Sequence, residues 1–265
     1  MYECNANDRN ELESIQGQIL ERIQYLRERN LDIATDEIVA AEALIRWNQA
    51  ELGFVSPAEF IPLAEESRLI QPISDWVVKR IAQDMRSWQE SGLKIIQISI
   101  NQSPIQFSLG ACDEEWKSIF TEHGISLSNI AVEITEAFFM EKGQQPIDVL
   151  LKMQAMGVKI LLDDFGTGYS SLSYLKRFPV DIIKIDREFI NDIKTETCEA
   201  LLVETILILA EKMNIEVIAE GVETEQQLNF LKRHDCRYMQ GYYFSKPLLN
   251  EEFKAFFQTF GLSKN

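Results

Sequence analysis

Seven short, β-rich apolar runs recur along this chain, each carrying a polar or charged side chain at or near its C-terminal end. The runs are Ile38–Ile45, Ile95–Ile100, Ile130–Thr135, Val158–Leu162, Asp181–Ile185, Glu216–Ala219 and Arg237–Met239. Amphipathic stretches separate them, with helical periodicity at Ser74–Trp88, Glu114–Glu122, Pro146–Met156, Glu199–Met213 and Glu251–Phe260. Further helix starts are signalled by Ser56-Pro57-Ala58-Glu59, read as a capping box with proline at the first helical position, and by Thr224-Glu225-Gln226-Gln227. Strands that alternate with helices build βα units around a parallel sheet. Seven or eight such units in 265 residues predict an α/β fold, a closed (β/α)8 TIM-like barrel, with an open doubly wound sheet as the alternative. No G-x-G-x-x-G follows the first run and no phosphate-binding P-loop occurs, so the Rossmann and P-loop nucleotide folds are not indicated.

The polar terminators are Glu42, Asn101, Glu133, Asp163 with Asp164, Lys184, Glu220 and Gln240. Singly, each has a structural explanation: Asp163 and Asp164 can form a turn, and Glu220 can cap a helix. Together, at the same end of successive strands, they converge on the mouth where barrel active sites are built. Carboxylates and an amide without imidazole or thiolate form a hard-oxygen set suited to Mg2+ or Mn2+ rather than Zn2+ or Cu2+. Crowded without a cation, such carboxylates repel one another and some take up protons. Two cations about 3.5–4 Å apart could be bridged by one of them and activate water for phosphoryl transfer. Adjacent strand residues point to opposite faces, so Asp163 and Asp164 serve one site only if the strand ends between them. The glycines Gly166 and Gly168 are expected to permit that bend.

A 46 % hydrophobic share supports one large domain or two small ones. The net charge of −16 argues against a DNA, RNA or anionic membrane surface, each of which needs a basic face. The longest apolar stretch, Ile206–Ala210, is far shorter than the roughly 20 residues of a membrane span. "MYECNANDRN" has neither the basic nor the apolar region of a signal peptide. A cytoplasmic location is expected, with membrane tethering open only through regions further upstream. Cys4, Cys112, Cys198 and Cys236 form no C-x-x-C pair and are expected to be free thiols. His123 and His234 lack partner motifs, so neither a Ser-His-Asp triad nor a histidine metal centre is expected.

Six blocks in order carry a resemblance: "EALIRW" with "SPAEFIPLAEESRLI", "INQSPIQF", "VEITEAF", "LLDDFGTGYSSLSYLKRFPVDIIKID", "VIAEGVET" and "MQGYYFSKPL". They resemble the EAL-domain family, phosphodiesterases that hydrolyse the bacterial messenger cyclic di-GMP to linear pGpG. The resemblance runs from Val39 to the C-terminus. It implies that Glu42, Asn101, Glu133 and Asp163 bind one ion and that Asp163 bridges to a second held by Asp164. Glu220 would be a ligand or the proton acceptor for the attacking water, and Lys184 would contact that water. Gln240 would hold the metal-water network or the substrate, and Arg46 would pair with a substrate phosphate. Glu136 would anchor the Phe165–Ser171 loop, with Asp186 and Glu223 as supports. Family members are typically barrels with one atypical strand, and many are homodimers. Mg2+ or Mn2+ would serve as cofactor, with Ca2+ binding but inhibiting.

"MYECNANDRN" also resembles the closing segment of a GGDEF domain, with Asn5 at its usual Lys and Asp8 at its usual Gly. The implied plan is a GGDEF remnant over 1–10, a helical connector over 11–29 and the phosphodiesterase domain over 30–265. A GGDEF or sensor domain would precede it in the full-length protein. The family's Tyr-Gln-Pro triplet before the signature is missing; Tyr25-Leu26-Arg27 is the nearest counterpart, and the charged "RIQYLRERN" is expected to be helical. Two other readings stand beside the enzyme: a non-catalytic cyclic di-GMP receptor, and a phosphodiesterase for another small diester. Receptors of this kind usually lose ligands at the EAL, Asn or Asp-Asp positions, and none is lost here.

Overall fold

A computed structural model of the chain describes residues 23–35, 37–49, 53–109, 112–136, 138, 145–166, 175, 178–193 and 198–262. The strands are β1 (Ile23–Asp32), β2 (Glu37–Gln49), β3 (Gly53–Val55), β4 (Gln97–Asn101), β5 (Ile130–Thr135), β6 (Lys159–Phe165), β7 (Ile182–Ile185), β8 (Glu216–Ala219) and β9 (Tyr238–Met239). The helices are α1 (Pro57–Glu66), α2 (Ile70–Glu90), α3 (Pro104–Leu109), α4 (Cys112–Glu122), α5 (Gln145–Ala155), α6 (Arg187–Asn191), α7 (Cys198–Met213), α8 (Glu225–Arg233) and α9 (Asn250–Leu262). Hydrogen bonding runs β1-β9-β8-β7-β6-β5-β4-β2, and a β1–β2 pairing closes the ring, leaving β3 on the outer edge of β2. The expected barrel is therefore formed.

Strand parity explains how the barrel fills. Ile98, Ile100, Ile130, Val132, Ile160, Leu162, Ile183 and Ile185 point outward and share one large core with helix residues such as Val78, Trp88 and Phe120. Leu161, Ile182 and Ile218, with Tyr238, form a separate small cluster. Their registers, Leu161 beside Ile182 and Ile218 beside Tyr238, place them on the lumen side. Two residues further along the same faces come Asp163, Lys184, Glu220 and Gln240, because side chains alternate with period two. The apolar plug below and the polar mouth above are successive layers of one lumen.

The atypical strand is β1, antiparallel to both β2 and β9 whereas β2 and β4 to β9 pair in parallel. This corrects the helical connector over 11–29: residues 23–29 are strand, and 1–22 lie outside the described residues together with the GGDEF remnant. The charged stretch pairs with β2 from Ile23↔Trp47 to Asp32↔Glu37, with one register shift between Asn30 and Leu31, and that long ladder overrides local helix propensity. The turn after it is fixed by Asp32, whose Oδ1 accepts from Ala34 N at 3.0 Å and whose Oδ2 accepts from Arg237 Nη2 at 2.7 Å.

The two capping signals fare differently. Thr224 and Gln227 form a reciprocal capping box on α8. Ser56 is the N-cap of α1 with Pro57 at its start, but its side chain makes no cap hydrogen bond. There the Ser56 carbonyl accepts from the Glu59 and Phe60 N–H groups instead, so the capping box read from that segment is absent. Among the described residues no helix is long and apolar enough to cross a membrane. Cys236, on the approach to β9, is a buried free thiol.

Candidate active site

Seven strands deliver the eight mouth residues. Glu42 comes from β2, Asn101 from β4, Glu133 from β5, Asp163 and Asp164 from β6, and Lys184 from β7, while Glu220 and Gln240 directly follow β8 and β9. The Lys184 ammonium stands among four carboxylates. Its Nζ lies 3.1 Å from Glu42 Oε2, 3.2 Å from Glu133 Oε2 and 3.5 Å from Asp163 Oδ1, and it also pairs with Glu220 Oε1. Glu42 is further held by Asn101 Nδ2, which donates to Oε1 at 2.8 Å, and by Gln240 Nε2, which donates to Oε2 at 3.0 Å.

Charge and burial set the proton affinities here. Burial favours neutral Glu42, but the Lys184 charge and the donors on Gln240 and Asn101 outweigh it and hold the carboxyl down at about 2. Glu133, enclosed and facing ionised Glu42, is pushed well above the carboxylate range. Burial lifts Glu220 to about 8, Lys184 opposing and Asp163 and Glu42 adding to the rise. Asp164 rises to about 6, through burial first and the Asp163 charge second. For Lys184 burial favours the neutral amine, yet the charges of Glu133, Glu220, Glu42 and Asp163 keep the ammonium well above its usual range. With two of the four carboxyl groups around one ammonium pushed toward their protonated forms, the mouth is short of positive charge.

The Asp-Asp pair is arranged by a bulge rather than by the glycines after it. Pairing of β6 with β7 shifts register between Leu162 and Phe165, and Asp164 takes φ 55, the left-handed region that aspartate tolerates better than most residues. The Asp164 N–H donates to Asp163 Oδ1 at 3.0 Å. Asp186 stands against Asp164 and contributes to its raised proton affinity, while its Oδ1 caps α6 by accepting from Glu188 N at 2.7 Å. Glu136 Oε1 accepts from Gly166 N at 2.8 Å, fixing the start of the loop it was expected to anchor; 167–171 lie outside the described residues.

Arg46 and Glu42 both line a cavity of about 420 Å3 beside the carboxylates, walled on its apolar side by Pro57, Ile61, Ile70 and Ile73. Arg46 Nη1 donates to the Ile45 carbonyl at 2.8 Å. Glu223 is exposed, and its backbone N–H joins the α8 cap through Gln227 Oε1. A larger cleft of about 610 Å3 opens between α7, α8 and the starts of β8 and β9, but none of the mouth residues lines it. The smaller cavity, lined by Glu42, Arg46 and Asn101, is the better candidate. Sequence reasoning missed the clamp in which Ser103 Oγ donates to Glu65 Oε1 at 2.5 Å, tying α1 to the segment after Asn101. No local pattern marks a pair separated by 38 positions.

The oxygen set suits a hard divalent cation. Glu133 Oε1 is a buried acceptor without a hydrogen-bond partner, and the local excess of negative charge favours a further cation. Among the described residues no three carboxylates are already gathered as a metal-ligand group.

The EAL domain family matches residues 30–247. The chain belongs to that family. The bifunctional diguanylate cyclase/cyclic di-GMP phosphodiesterase MucR of Pseudomonas aeruginosa is 36 % identical over 255 residues, which cover 95 % of this EAL chain and 37 % of MucR. The cyclic di-GMP phosphodiesterase NbdA of the same organism is 37 % identical over 218 residues, covering 82 % of this chain and 28 % of NbdA. The chain thus spans about a third of the length of these curated relatives. Among solved structures, the MucR phosphodiesterase in complex with c-di-GMP superposes with a TM-score of 0.84 at 35 % identity, over 92 % of this chain and 99 % of that one. The EAL enzyme Bd1971 in its cAMP-bound form gives 0.85 at 32 % identity, over 95 % of this chain and 71 % of that one.

Proposed function

We propose that this EAL domain hydrolyses cyclic di-GMP to linear 5'-pGpG in bacterial second-messenger signalling. The observation that carries the reading is the convergence of Glu42, Glu133, Asp163 and Glu220 on one buried ammonium beside a cavity of about 420 Å3. Glu42, Asn101, Glu133, Asp163, Asp164 and Glu220 would hold two Mg2+ or Mn2+ ions. When bound, such ions polarise the phosphoryl oxygens and favour the hydroxide form of a water.

The chain's own groups do the rest. Arg46, on the cavity wall, pairs with a phosphate, and Gln240 keeps Glu42 in place. Lys184 orients the attacking water, and Glu220, beside Lys184 at the end of β8, accepts its proton. A phosphorus–oxygen bond forms from that water as the bond to one ribose 3'-oxygen breaks, and the leaving oxygen takes a proton. The partners we propose are cyclic di-GMP, a second copy of the chain and an N-terminal GGDEF or sensor domain, in the cytoplasm. The exposed apolar side chains Leu201, Leu202 and Ile208 on α7 support a homodimer.

The test is incubation with cyclic di-GMP and Mg2+ or Mn2+, followed by chromatography. Linear pGpG is expected. Saturable binding without product at any metal concentration would instead establish a receptor, and faster turnover of a generic chromogenic diester would point to another substrate.

A further inference from the structure

The Lys184 side chain is 1 % exposed, and the carboxylates it touches come from β2, β5, β6 and the end of β8. Its hydrogen bonds to Glu42 and Glu133 join residues 142 and 51 positions apart. A buried ammonium is tolerated only where its partners replace the water it has lost, and here the converse also holds. Without that cation, carboxylates fixed to four strands of one closed ring, two of them adjacent, would face one another in a low-dielectric lumen. They cannot separate unless the barrel end opens, because backbone pairing sets the spacing of the strands.

We infer that Lys184 is an internal counter-cation: it holds Glu42, Glu133, Asp163 and Glu220 together in the metal-free barrel, and divalent ions can take over that task. The second half rests on the cation reading proposed above; the first half does not. Lys184 is thereby a positioning residue for the empty site, a role separate from orienting water during hydrolysis. It also makes cation uptake an exchange, in which an ion gains its ligands as the ammonium gives up contacts.

Methionine retains an unbranched stem of similar bulk without the charge, so Lys184→Met separates packing from neutralisation. The wild type, Lys184→Met and the double variant Lys184→Met/Glu220→Gln are stripped with EDTA and melted by circular dichroism, with and without Mn2+. Lys184→Met is expected to melt about 5–15 °C below the wild type in EDTA, the range for leaving buried charges unpaired in a domain of this size. Adding Glu220→Gln should return at least half of that loss, and Mn2+ should raise the melting temperature of Lys184→Met more than that of the wild type.

A Lys184→Met protein as stable as the wild type in EDTA overturns the inference. So does a loss that neither Glu220→Gln nor Mn2+ recovers, which is the mark of packing alone. Should Lys184→Met fail to fold in EDTA, folding of the double variant together with refolding of Lys184→Met in Mn2+ sustains the inference, and failure of either overturns it. Formation of pGpG by the wild type is measured in parallel. Wild-type hydrolysis without Mn2+ rescue of Lys184→Met sinks the exchange but spares the phosphodiesterase, whereas rescue without hydrolysis does the reverse.

Discussion

Glu42 and Glu220 touch the same ammonium yet are driven in opposite directions, to about 2 and about 8. Burial raises both, but at Glu42 the Lys184 charge and the Gln240 and Asn101 donors outweigh it, whereas at Glu220 the charges of Asp163 and Glu42 add to it. One carboxylate is thereby kept as a permanent anion and the other is able to exchange a proton near neutral pH. Glu42→Ala and Asp163→Asn should each reduce pGpG formation more than a hundredfold. Retention of over a tenth of the wild-type rate by both would mean a barrier change below about 1.4 kcal/mol, too little for a lost metal ligand. Away from the mouth, burial pushes the Cys236 thiol up to about 12, and a thiol held in its protonated form is a poor nucleophile. Cys236 should therefore resist a disulfide reagent in the native protein and react upon denaturation. Selective labelling with mass spectrometry at that position checks this.

At the scale of elements, β6 and β1 are where function and fold meet. The bulge in β6 sets Asp164 at φ 55, so a β-branched residue there should cost about 1–3 kcal/mol in addition to losing a carboxylate. Asp164→Asn keeps a residue tolerant of that conformation and should melt close to the wild type, while Asp164→Val should not; thermal melts of the two separate backbone strain from charge. At the end of β1, the Arg237 guanidinium and the hydrogen bonds it donates hold the Asp32 carboxyl below its ordinary range. A depressed carboxyl contributes stability that is present above its unfolded value and lost as pH falls through its folded one. Asp32→Asn should therefore narrow its stability deficit as pH drops below the usual carboxylate range, which urea unfolding at several pH values would show. The strands β4 to β8 were legible because their apolar, β-branched runs end on polar residues. β1 was not, since "RIQYLRERN" becomes strand through its ladder to β2, a contact no local window contains. The bulge was hidden for a similar reason: the glycines that announced a bend lie beyond the residue that makes it.

For the whole molecule, ring closure turns polar residues from seven strands into one site, and an apolar cluster of Leu161, Ile182 and Ile218 lies beneath them. Sequence located the mouth, because strand polarity fixes which end each residue occupies. It did not disclose that Lys184 contacts four carboxylates at once, since those distances depend on the tilt and register of the closed sheet. Introducing Glu at Leu201 and Ile208 should shift a dimer toward monomer in sedimentation velocity without changing the melting temperature much, because both side chains are exposed in the single chain. Ca2+ should bind yet support little turnover, its larger coordination sphere placing water poorly; equal rates with Ca2+ and Mg2+ would contradict that. The most direct measurement is a Mn2+ titration of the EDTA-stripped domain, read by electron paramagnetic resonance, for the wild type and for Asp163→Asn. Two ions per wild-type chain, with at least one lost in Asp163→Asn, is the expected result. Absence of saturable Mn2+ binding, or the same stoichiometry and affinity in both proteins, would contradict the account.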